Sequence, residues 1–245
     1  PAFAATLRRQ FFIVNISSAI FDRSAPDLDS CPDESLPEFA FIGRSNVGKS
    51  SLLNMLAGKD GLARVSPTPG FTKLINIFTM NRTWRLVDLP GYGFAQVARK
   101  DRSAFNEAVA DYLSRRRNLN CVFLLIDSGL PPQKIDLEFV QWLAGNATPF
   151  VLVFTKSDRS KTGEVQANIA AFLAAIAGWF EQLPECFVTS ATTGRGRNEL
   201  LGLVTQSLAE LAAQAREAAE RAGLPAPSRK ATQAPKNRPD LNRPW

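Results

Sequence analysis

The amino-acid sequence predicts an α/β fold of three layers, in which helices cover both faces of a six-stranded, mostly parallel sheet. Short apolar runs of strand length alternate along the chain with segments of helical periodicity, the order typical of a doubly wound sheet. In addition, Asn81-Arg82 lies between two neighbouring strand-like runs and predicts a tight hairpin. The hairpin places one antiparallel strand at an edge of the sheet.

Each predicted strand is an apolar run bounded by polar or turn-forming residues. The strands are expected at 38–42, 74–80, 84–87, 121–126, 150–154 and 186–188. The helices are expected where apolar residues recur with a period near 3.6. Their ranges are 51–57, 102–117, 135–144, 165–180 and 198–211.

Composition divides the chain into an N-terminal extension (1–37), a central domain (38–215) and a basic, proline-rich tail (216–245). The last apolar period ends near Leu211, and the prolines that follow residue 224 forbid a continuous helix. We therefore expect the end of the tail to be disordered. No apolar stretch is long enough to span a membrane, so a cytoplasmic location is expected.

Charge and residue usage exclude several kinds of chemistry. The chain of 245 residues has a formal charge of +6, which favours a polyanionic partner such as nucleic acid or an anionic membrane surface. It contains no histidine, which excludes Ser-His and Cys-His catalysis and metal sites that need histidine. Its three cysteines are an odd number, and Cys121 and Cys186 lie in apolar runs. We expect reduced, buried thiols.

A phosphate-binding loop directly follows the first predicted strand. The residues from Gly43 to Ser50 read G-R-S-N-V-G-K-S and fill the pattern G-x-x-x-x-G-K-[ST]. The two glycines let main-chain N–H groups surround phosphate oxygens, Lys49 supplies a positive charge, and the Ser50 hydroxyl can ligate Mg²⁺. The residues predicted to bind the nucleotide here are Gly43, Arg44, Ser45, Asn46, Val47, Gly48, Lys49, Ser50 and Ser51.

A second motif, Asp88-Leu89-Pro90-Gly91, closes the predicted strand 84–87. The Asp88 carboxylate can hold Mg²⁺ through a water molecule, and the Gly91 amide can meet a γ-phosphate oxygen. On its own the motif is equally typical of a turn. Its position after a phosphate loop favours the nucleotide-binding interpretation.

Two further motifs follow later strands and predict guanine as the base. Thr155-Lys156-Ser157-Asp158 ends one strand, and the Asp158 carboxylate can accept both guanine N–H donors while the Lys156 stem covers the base. Thr189-Ser190-Ala191 ends the last strand and can offer main-chain N–H groups to guanine O6. Each motif is weak alone, but the ordered set predicts binding of GTP and GDP.

These residues resemble one family in particular. The runs G-R-S-N-V-G-K-S-S-L-L-N, L-A-R-V-S-P-T-P-G-F-T-K-L-I-N and D-L-P-G-Y-G-F-A are similar to the EngB (YihA/YsxC) family of ribosome-assembly GTPases, within the TrmE-Era-EngA-YihA-like P-loop GTPases. The resemblance covers about residues 11–211. It implies slow GTP hydrolysis, a role in maturation of the large ribosomal subunit and its rRNA, and an associated effect on cell division and septation.

The resemblance also assigns residues. It implies that a switch segment closes over the γ-phosphate through Gly70, Phe71, Thr72, Lys73 and Leu74. Thr72 is then a Mg²⁺ ligand, with Thr68 the alternative on chemistry alone. Lys49, Thr72 and Gly91 are the predicted catalytic positions.

The expected hydrolysis rate is low. Many GTPases place a water-orienting glutamine directly after D-x-x-G, but this chain has Tyr92 there. Asn46 either holds a K⁺ ion that adds positive charge near the phosphates or only stabilises the loop turn. Arg44 and Arg64 are interpreted as solvated loop residues, so no arginine finger is predicted.

Three functions remain open at this stage. A GTP-controlled assembly factor would grip the immature ribosome through segments 64–74 and 91–100. A metabolic or transport NTPase would need a substrate domain that the motifs do not indicate. A GTP-dependent scaffold at the division site or membrane would bind anionic lipid through the basic tail. The run Arg115-Arg116-Arg117 is interpreted either as an RNA contact or as favourable charge at a helix end.

Overall fold

The structure is a computed structural model that describes residues 13–63, 74–92 and 99–222, with the backbone alone for 99–106. The chain divides into two compact units, Pro1–Leu208 and Ala209–Trp245. The strands that are described are β1 (Ala19–Ala25), β2 (Glu38–Gly43), β3 (Ile75–Met80), β4 (Trp84–Asp88), β5 (Leu119–Asp127), β6 (Phe150–Thr155) and β7 (Cys186–Val188). The α-helices are α1 (Lys49–Ala57), α2 (Arg99–Arg115), α3 (Lys134–Gly145), α4 (Thr162–Ile176) and α5 (Arg197–Arg221).

The predicted fold class is confirmed, with one additional strand. All six predicted strands and five predicted helices are present near their expected positions, and β1 is the strand that the sequence analysis missed. The sequence of β1 is A-I-F-D-R-S-A, and only its two end residues are buried. Apolar and polar residues do not alternate along this segment, so the two-residue sequence period that normally indicates a strand is absent. A strand of the sheet therefore lies inside the range assigned to the N-terminal extension.

The strand order is β1-β3-β4-β2-β5-β6-β7, and the strands from β4 to β7 in this order are parallel. The antiparallel strand is β3, which pairs with both β4 and β1. The predicted hairpin between β3 and β4 is present, and Asn81 and Arg82 have φ of 49° and 59°, the positive values that tight hairpin turns require. The prediction that the antiparallel strand lies at the edge was wrong, because β1 pairs with β3 on its outer side.

Two hydrophobic layers cover the sheet. In β5, Phe123 and Leu125 face the layer that α1 and the start of α5 complete, whereas Leu124 and Ile126 face the layer of α2, α3 and α4. This alternation follows from the two-residue period of a strand. Because β5 is buried on both faces, the sheet forms the middle layer of a three-layer domain.

Two helix ends differ from the expected ones. α4 ends at Ile176 and is followed by a 3₁₀ turn, Ala177–Trp179, so the predicted single helix 165–180 is divided. Gly178 in this turn is unfavourable for a continuing α-helix. α5 continues to Arg221, past the expected end at Leu211 and into the range assigned to the tail, since alanine, arginine and glutamate are good helix formers. The remaining tail, 223–245, lies outside the described residues.

The described residues include no helix with the length and apolarity needed to cross a bilayer. All three cysteines are free thiols. Cys121 is buried, as expected, whereas Cys186 is half-buried.

A buried ionic cluster fixes the amino end of β2. Glu38 accepts hydrogen bonds from the guanidinium of Arg116 at 2.7 and 2.8 Å and from the hydroxyl of Tyr112 at 2.6 Å. Arg85 donates to the same carboxylate at 3.3 Å. Burial alone would raise the pKa of Glu38, but the bonds from Arg116 and Tyr112 outweigh it and hold the pKa below its ordinary value. Arg116 is therefore a structural residue of the interior, and the interpretation of this residue as an RNA contact was wrong.

Removal of this charge should destabilise the domain strongly. Glu38→Gln leaves Arg116 and Arg85 without their buried counter-ion, and we expect the free energy of unfolding in urea to fall by about 3 kcal/mol. Asp111→Asn is the control, because its ion pair with Arg115 is exposed and should contribute less than about 1 kcal/mol. Since the pKa of Glu38 is lowered by folding, its contribution is present at neutral pH and is lost as the pH falls through the folded value. Equal stabilities for the two variants would contradict this assignment.

Candidate nucleotide-binding site

The predicted motifs meet at one edge of the sheet. The phosphate loop follows β2, Leu89-Pro90-Gly91 follows β4, and the two motifs that predict guanine span the ends of β6 and β7. These strands are parallel within the order β4-β2-β5-β6-β7, so their carboxyl ends lie along the same edge. Ligands of open α/β sheets bind at this edge.

Local geometry explains both glycines of the phosphate loop. A Cβ on Gly43, the last residue of β2, would lie 2.5 Å from the carbonyl oxygen of Leu125, so no larger residue fits beside β5. Gly48 has φ of 108°, a value that side chains other than glycine rarely adopt. Directly after Gly48, α1 begins with Lys49, and no side chain caps its free N–H groups. The amino end of α1 is thus suited to bind an anion.

Lys49, Asp88 and Gly91 come together beside this helix end. Lys49 is 9% exposed and Asp88 is 2% exposed. Burial raises the pKa of Asp88 to about 6 although the positive charge of Lys49 lowers it. Burial likewise lowers the pKa of Lys49 against the opposing charge of Asp88. A Cβ on Gly91 would lie 2.9 Å from Nζ of Lys49, which places the Gly91 main chain directly over the lysine.

The donor set fits a Mg²⁺ ion. Oδ1 of Asp88 is buried without a hydrogen-bond partner, and Ser50, with its hydroxyl, lies half-buried in the first turn of α1. A carboxylate and a hydroxyl are hard oxygen ligands of the kind that Mg²⁺ prefers next to phosphates. Among the described residues there is no separate cluster of three or more acidic, cysteine or histidine side chains that could hold a metal.

The two motifs that predict guanine lie next to each other and are tied to the phosphate loop. The Thr155 hydroxyl donates to the carbonyl oxygen of Val47 at 2.7 Å, and the Ser157 N–H donates to the carbonyl oxygen of Thr189 at 3.1 Å. A hydrogen bond from the Ser190 hydroxyl holds the pKa of Asp158 below its ordinary value. Asp158 is exposed and ionised at neutral pH, as recognition of guanine N–H groups requires.

Asp127, at the end of β5, was missed by the sequence analysis. Its Oδ2 accepts a hydrogen bond from Nζ of Lys156 at 2.7 Å, and its Oδ1 accepts one from the Gly129 N–H at 3.1 Å. Lys156 has φ of 58°, and its Cε lies 4.0 Å from the place of a Cβ on Gly48. Asp127 thus directs the Lys156 stem along the phosphate loop. The signal available in the sequence was an acidic residue at a strand end before Ser128-Gly129.

Arg44 does not lie free in solvent. Its Nε donates to Oδ2 of Asp136 in α3 at 3.0 Å, so the interpretation of Arg44 as a solvated residue was wrong. Asp136 was not identified from the sequence, because its partners are remote from it along the chain. Asn46 is exposed and has φ of 61°, a conformation that asparagine tolerates better than most residues.

The remaining predicted residues fall into two groups. Leu89, Pro90 and Gly91 are buried, Ser51 and Ala191 are half-buried, and Leu74 is 40% exposed just before β3. The switch residues Gly70, Phe71, Thr72 and Lys73, together with Arg64 and Thr68, lie outside the described residues.

Comparisons with known proteins agree with this geometry. Residues 38–156 match the family model described as 50S ribosome-binding GTPase. A protein of Bacteroides fragilis named Probable GTP-binding protein EngB is 48% identical over 198 residues, which cover 81% of this chain and 98% of that protein. The protein of the same name from Bacteroides thetaiotaomicron is 47% identical over 191 residues, covering 78% of this chain and 95% of that protein.

Solved structures show the same fold. The crystal structure of a probable GTP-binding protein engB superposes with a TM-score of 0.54 at 25% identity and covers 71% of this chain and 99% of that one. Era in complex with MgGDPNP and a segment of 16S ribosomal RNA gives a TM-score of 0.56 at 22% identity, over 71% of this chain and 57% of that one. The similarity to Era shows the fold alone.

A first prediction for this site concerns the base. Asp158→Asn replaces one acceptor by a donor and should weaken GTP binding by about 3 kcal/mol, or about 100-fold, because a guanine N–H is left without its acceptor. Xanthosine triphosphate should bind the variant better than it binds the unmutated protein. Titrations with both nucleotides measure this exchange, and Glu164→Gln in the first turn of α4 serves as the control. ATP binding as tightly as GTP to the unmutated protein would refute the assignment.

A second prediction concerns pH. With a pKa of about 6, Asp88 is protonated at lower pH and would then be a poor ligand for Mg²⁺. The gain in GTP affinity from Mg²⁺, measured against EDTA, should therefore decline as the pH falls through about 6. Because the γ-phosphate also titrates, Asp88→Asn is the reference: its Mg²⁺ gain should be small and should lack the part of the pH dependence that Asp88 contributes. The same pH profile in both proteins would exclude Asp88 as the titrating group.

Proposed function

The chain belongs to the EngB family of GTP-binding proteins and is a GTPase, and from that premise we propose that it is a GTP-controlled switch that assists assembly of the large ribosomal subunit. The observation that carries the proposal is the match of residues 38–156 to a family of 50S ribosome-binding GTPases. The formal charge of +6 supports a polyanionic partner such as rRNA. In this proposal the protein acts in the cytoplasm, and its effect on cell division follows from ribosome supply.

We propose the following division of labour among the site residues. The phosphate loop and the amino end of α1 bind the phosphates, Lys49 offsets their charge, and the Gly91 amide meets the γ-phosphate. Mg²⁺ would be held by Ser50, by Asp88 through water and by Thr72, and would supply positive charge against the phosphate oxygens. Asp158 selects guanine, while Lys156 and the segment Thr189-Ser190-Ala191 complete the base pocket.

In this proposal the low intrinsic rate of GTP hydrolysis follows from the orientation of the Tyr92 side chain. Its hydroxyl donates to Oδ1 of Asp136 at 2.9 Å and is buried, so it is not free to orient an attacking water. A GTPase without such a group turns over slowly until a partner or an ion supplies what is missing. The backbone conformation of Asn46 supports its role in the loop turn, and the K⁺ hypothesis stays a prediction.

The switch itself depends on two segments. Residues 64–74 and 91–100 flank the phosphate site in the sequence, and most of both segments lies outside the described residues. Ordering of these segments by the γ-phosphate would create the ribosome-binding surface only in the GTP state. Hydrolysis would then release the protein once the subunit has matured. The basic tail is a candidate second contact with rRNA, with the alternative of a linker-like extension left open.

Co-sedimentation with ribosomal subunits tests the proposal. The full chain should pellet with large-subunit precursors in the presence of a non-hydrolysable GTP analogue and should remain in the supernatant with GDP. Asp158→Asn supplies an internal control, because its binding to precursors should require the xanthosine analogue instead of the GTP analogue. Nucleotide-independent pelleting, or nucleotide-dependent flotation with anionic liposomes and no subunit binding, would contradict the proposal.

A further inference from the structure

One buried carboxylate joins the two loops that border the phosphate site. The Tyr92 hydroxyl donates to Oδ1 of Asp136 at 2.9 Å, and Nε of Arg44 donates to Oδ2 at 3.0 Å. The side chain of Asp136 is only 1% exposed, so its hydrogen bonds are made within the protein. Arg44 belongs to the phosphate loop, Tyr92 follows Gly91, and Asp136 lies in the first turn of α3.

The same two loops are also joined through their main chains. The Ser45 N–H donates to the carbonyl oxygen of Tyr92 at 3.3 Å, and the Tyr92 N–H donates to the carbonyl oxygen of Gly43 at 3.3 Å. Arg44 and Tyr92 form a parallel bridge at this point. The side chains held by Asp136 therefore belong to the residues whose backbones set the register of Gly91 against the phosphate loop.

The direction of the Tyr92 side chain is fixed from a second side. Its ring stacks on Phe139 of α3 with a centroid distance of 4.5 Å and an interplanar angle of 18°. Burial raises the pKa of Tyr92 well above its ordinary value, so the hydroxyl stays protonated and remains a donor. Tyr92, the residue next to Gly91, is thus anchored to α3 through both its ring and its hydroxyl.

Packing alone does not require this arrangement. A charged carboxylate in the interior is costly unless it is fully paired, and well-packed apolar side chains of similar volume are often at least as stable as a buried ion pair. The hydrogen bonds from Tyr92 and Arg44 to Asp136 instead fix the orientation of both side chains, and each bond fixes the position of one loop. A displacement of about 1 Å at the reacting groups can cost about 100-fold in rate. Gly91 and Lys49 lie directly beside the joined segments.

We infer that Asp136 is a positioning residue for GTP hydrolysis, which acts through Tyr92 and Arg44 to hold Gly91 and the phosphate loop in register. The inference uses the GTPase activity of the family and is independent of the ribosomal role proposed above. Through Asp136, α3 contacts both loops, although α3 itself carries none of the phosphate-binding motifs.

The fold contains its own matched control. Glu38, Arg116 and Tyr112 repeat the same chemistry, with a tyrosine hydroxyl donating to a buried carboxylate at 2.6 Å. This second trio lies at the amino end of β2, whereas the phosphate loop follows its carboxyl end. Tyr92→Phe and Tyr112→Phe therefore remove the same kind of hydrogen bond, and only Tyr92 borders the phosphate site.

The experiment measures single-turnover hydrolysis at saturating GTP in the full-length chain, together with GDP affinity and melting temperature. Tyr92→Phe and Asp136→Ala should each lower the rate about 10-fold and change GDP affinity less than about 3-fold. Tyr112→Phe should lower the melting temperature without changing the rate. The double variant Tyr92→Phe/Asp136→Ala should be no slower than the slower single variant, because Asp136→Ala already removes the acceptor of the Tyr92 hydroxyl.

Three results would overturn the inference. The first is an unchanged rate in a folded Tyr92→Phe protein, the second is an equal loss of rate in Tyr112→Phe, and the third is an additive loss in the double variant. If Asp136→Ala does not fold, the comparison of Tyr92→Phe with Tyr112→Phe decides alone.

Discussion

The close approach of the phosphate loop to β5 is the constraint on which the rest of the site depends. Gly43 lies against the main chain of Leu125 where a Cβ would be only 2.5 Å from the carbonyl oxygen. The loop can then turn directly into α1, and the Val47 carbonyl meets the Thr155 hydroxyl at 2.7 Å. One steric condition at the end of β2 thus sets where α1 begins and how far its amino end lies from the loop after β6.

Two charged side chains beside the phosphate loop are destabilised by burial, and a bound anion or cation would stabilise them. Asp88 and Lys49 are both buried, and burial opposes the charge of each while their mutual attraction offsets part of the cost. An oxygen of Asp88 also lacks a hydrogen-bond partner. Such a site stabilises the free protein less than an apolar one would, but it is stabilised more by binding of phosphate and a divalent cation. This exchange of stability for function is common at binding sites.

The two trios of tyrosine, arginine and carboxylate show one interaction in two roles. At the amino end of β2, Glu38 holds Tyr112 of α2 and also Arg116, which in turn donates to the Pro32 carbonyl oxygen in the segment before the strand. Near its carboxyl end, Asp136 holds Arg44 of the phosphate loop and Tyr92 after Gly91. Their chemistry is similar, so burial and hydrogen bonding do not distinguish a structural role from a functional one. The two roles are distinguished by how far each trio lies from the reacting groups.

The sequence by itself determined the fold class, the four nucleotide motifs and their position at the ends of strands, because these depend on local patterns: period, turn residues and fixed spacing. The tertiary structure alone decided that β1 completes the edge, that Arg116 is buried, and that Asp127 and Asp136 hold Lys156, Arg44 and Tyr92. The physical reason is separation along the chain. Arg44 and Asp136 are 92 residues apart, and only the folded sheet brings such partners within hydrogen-bonding distance.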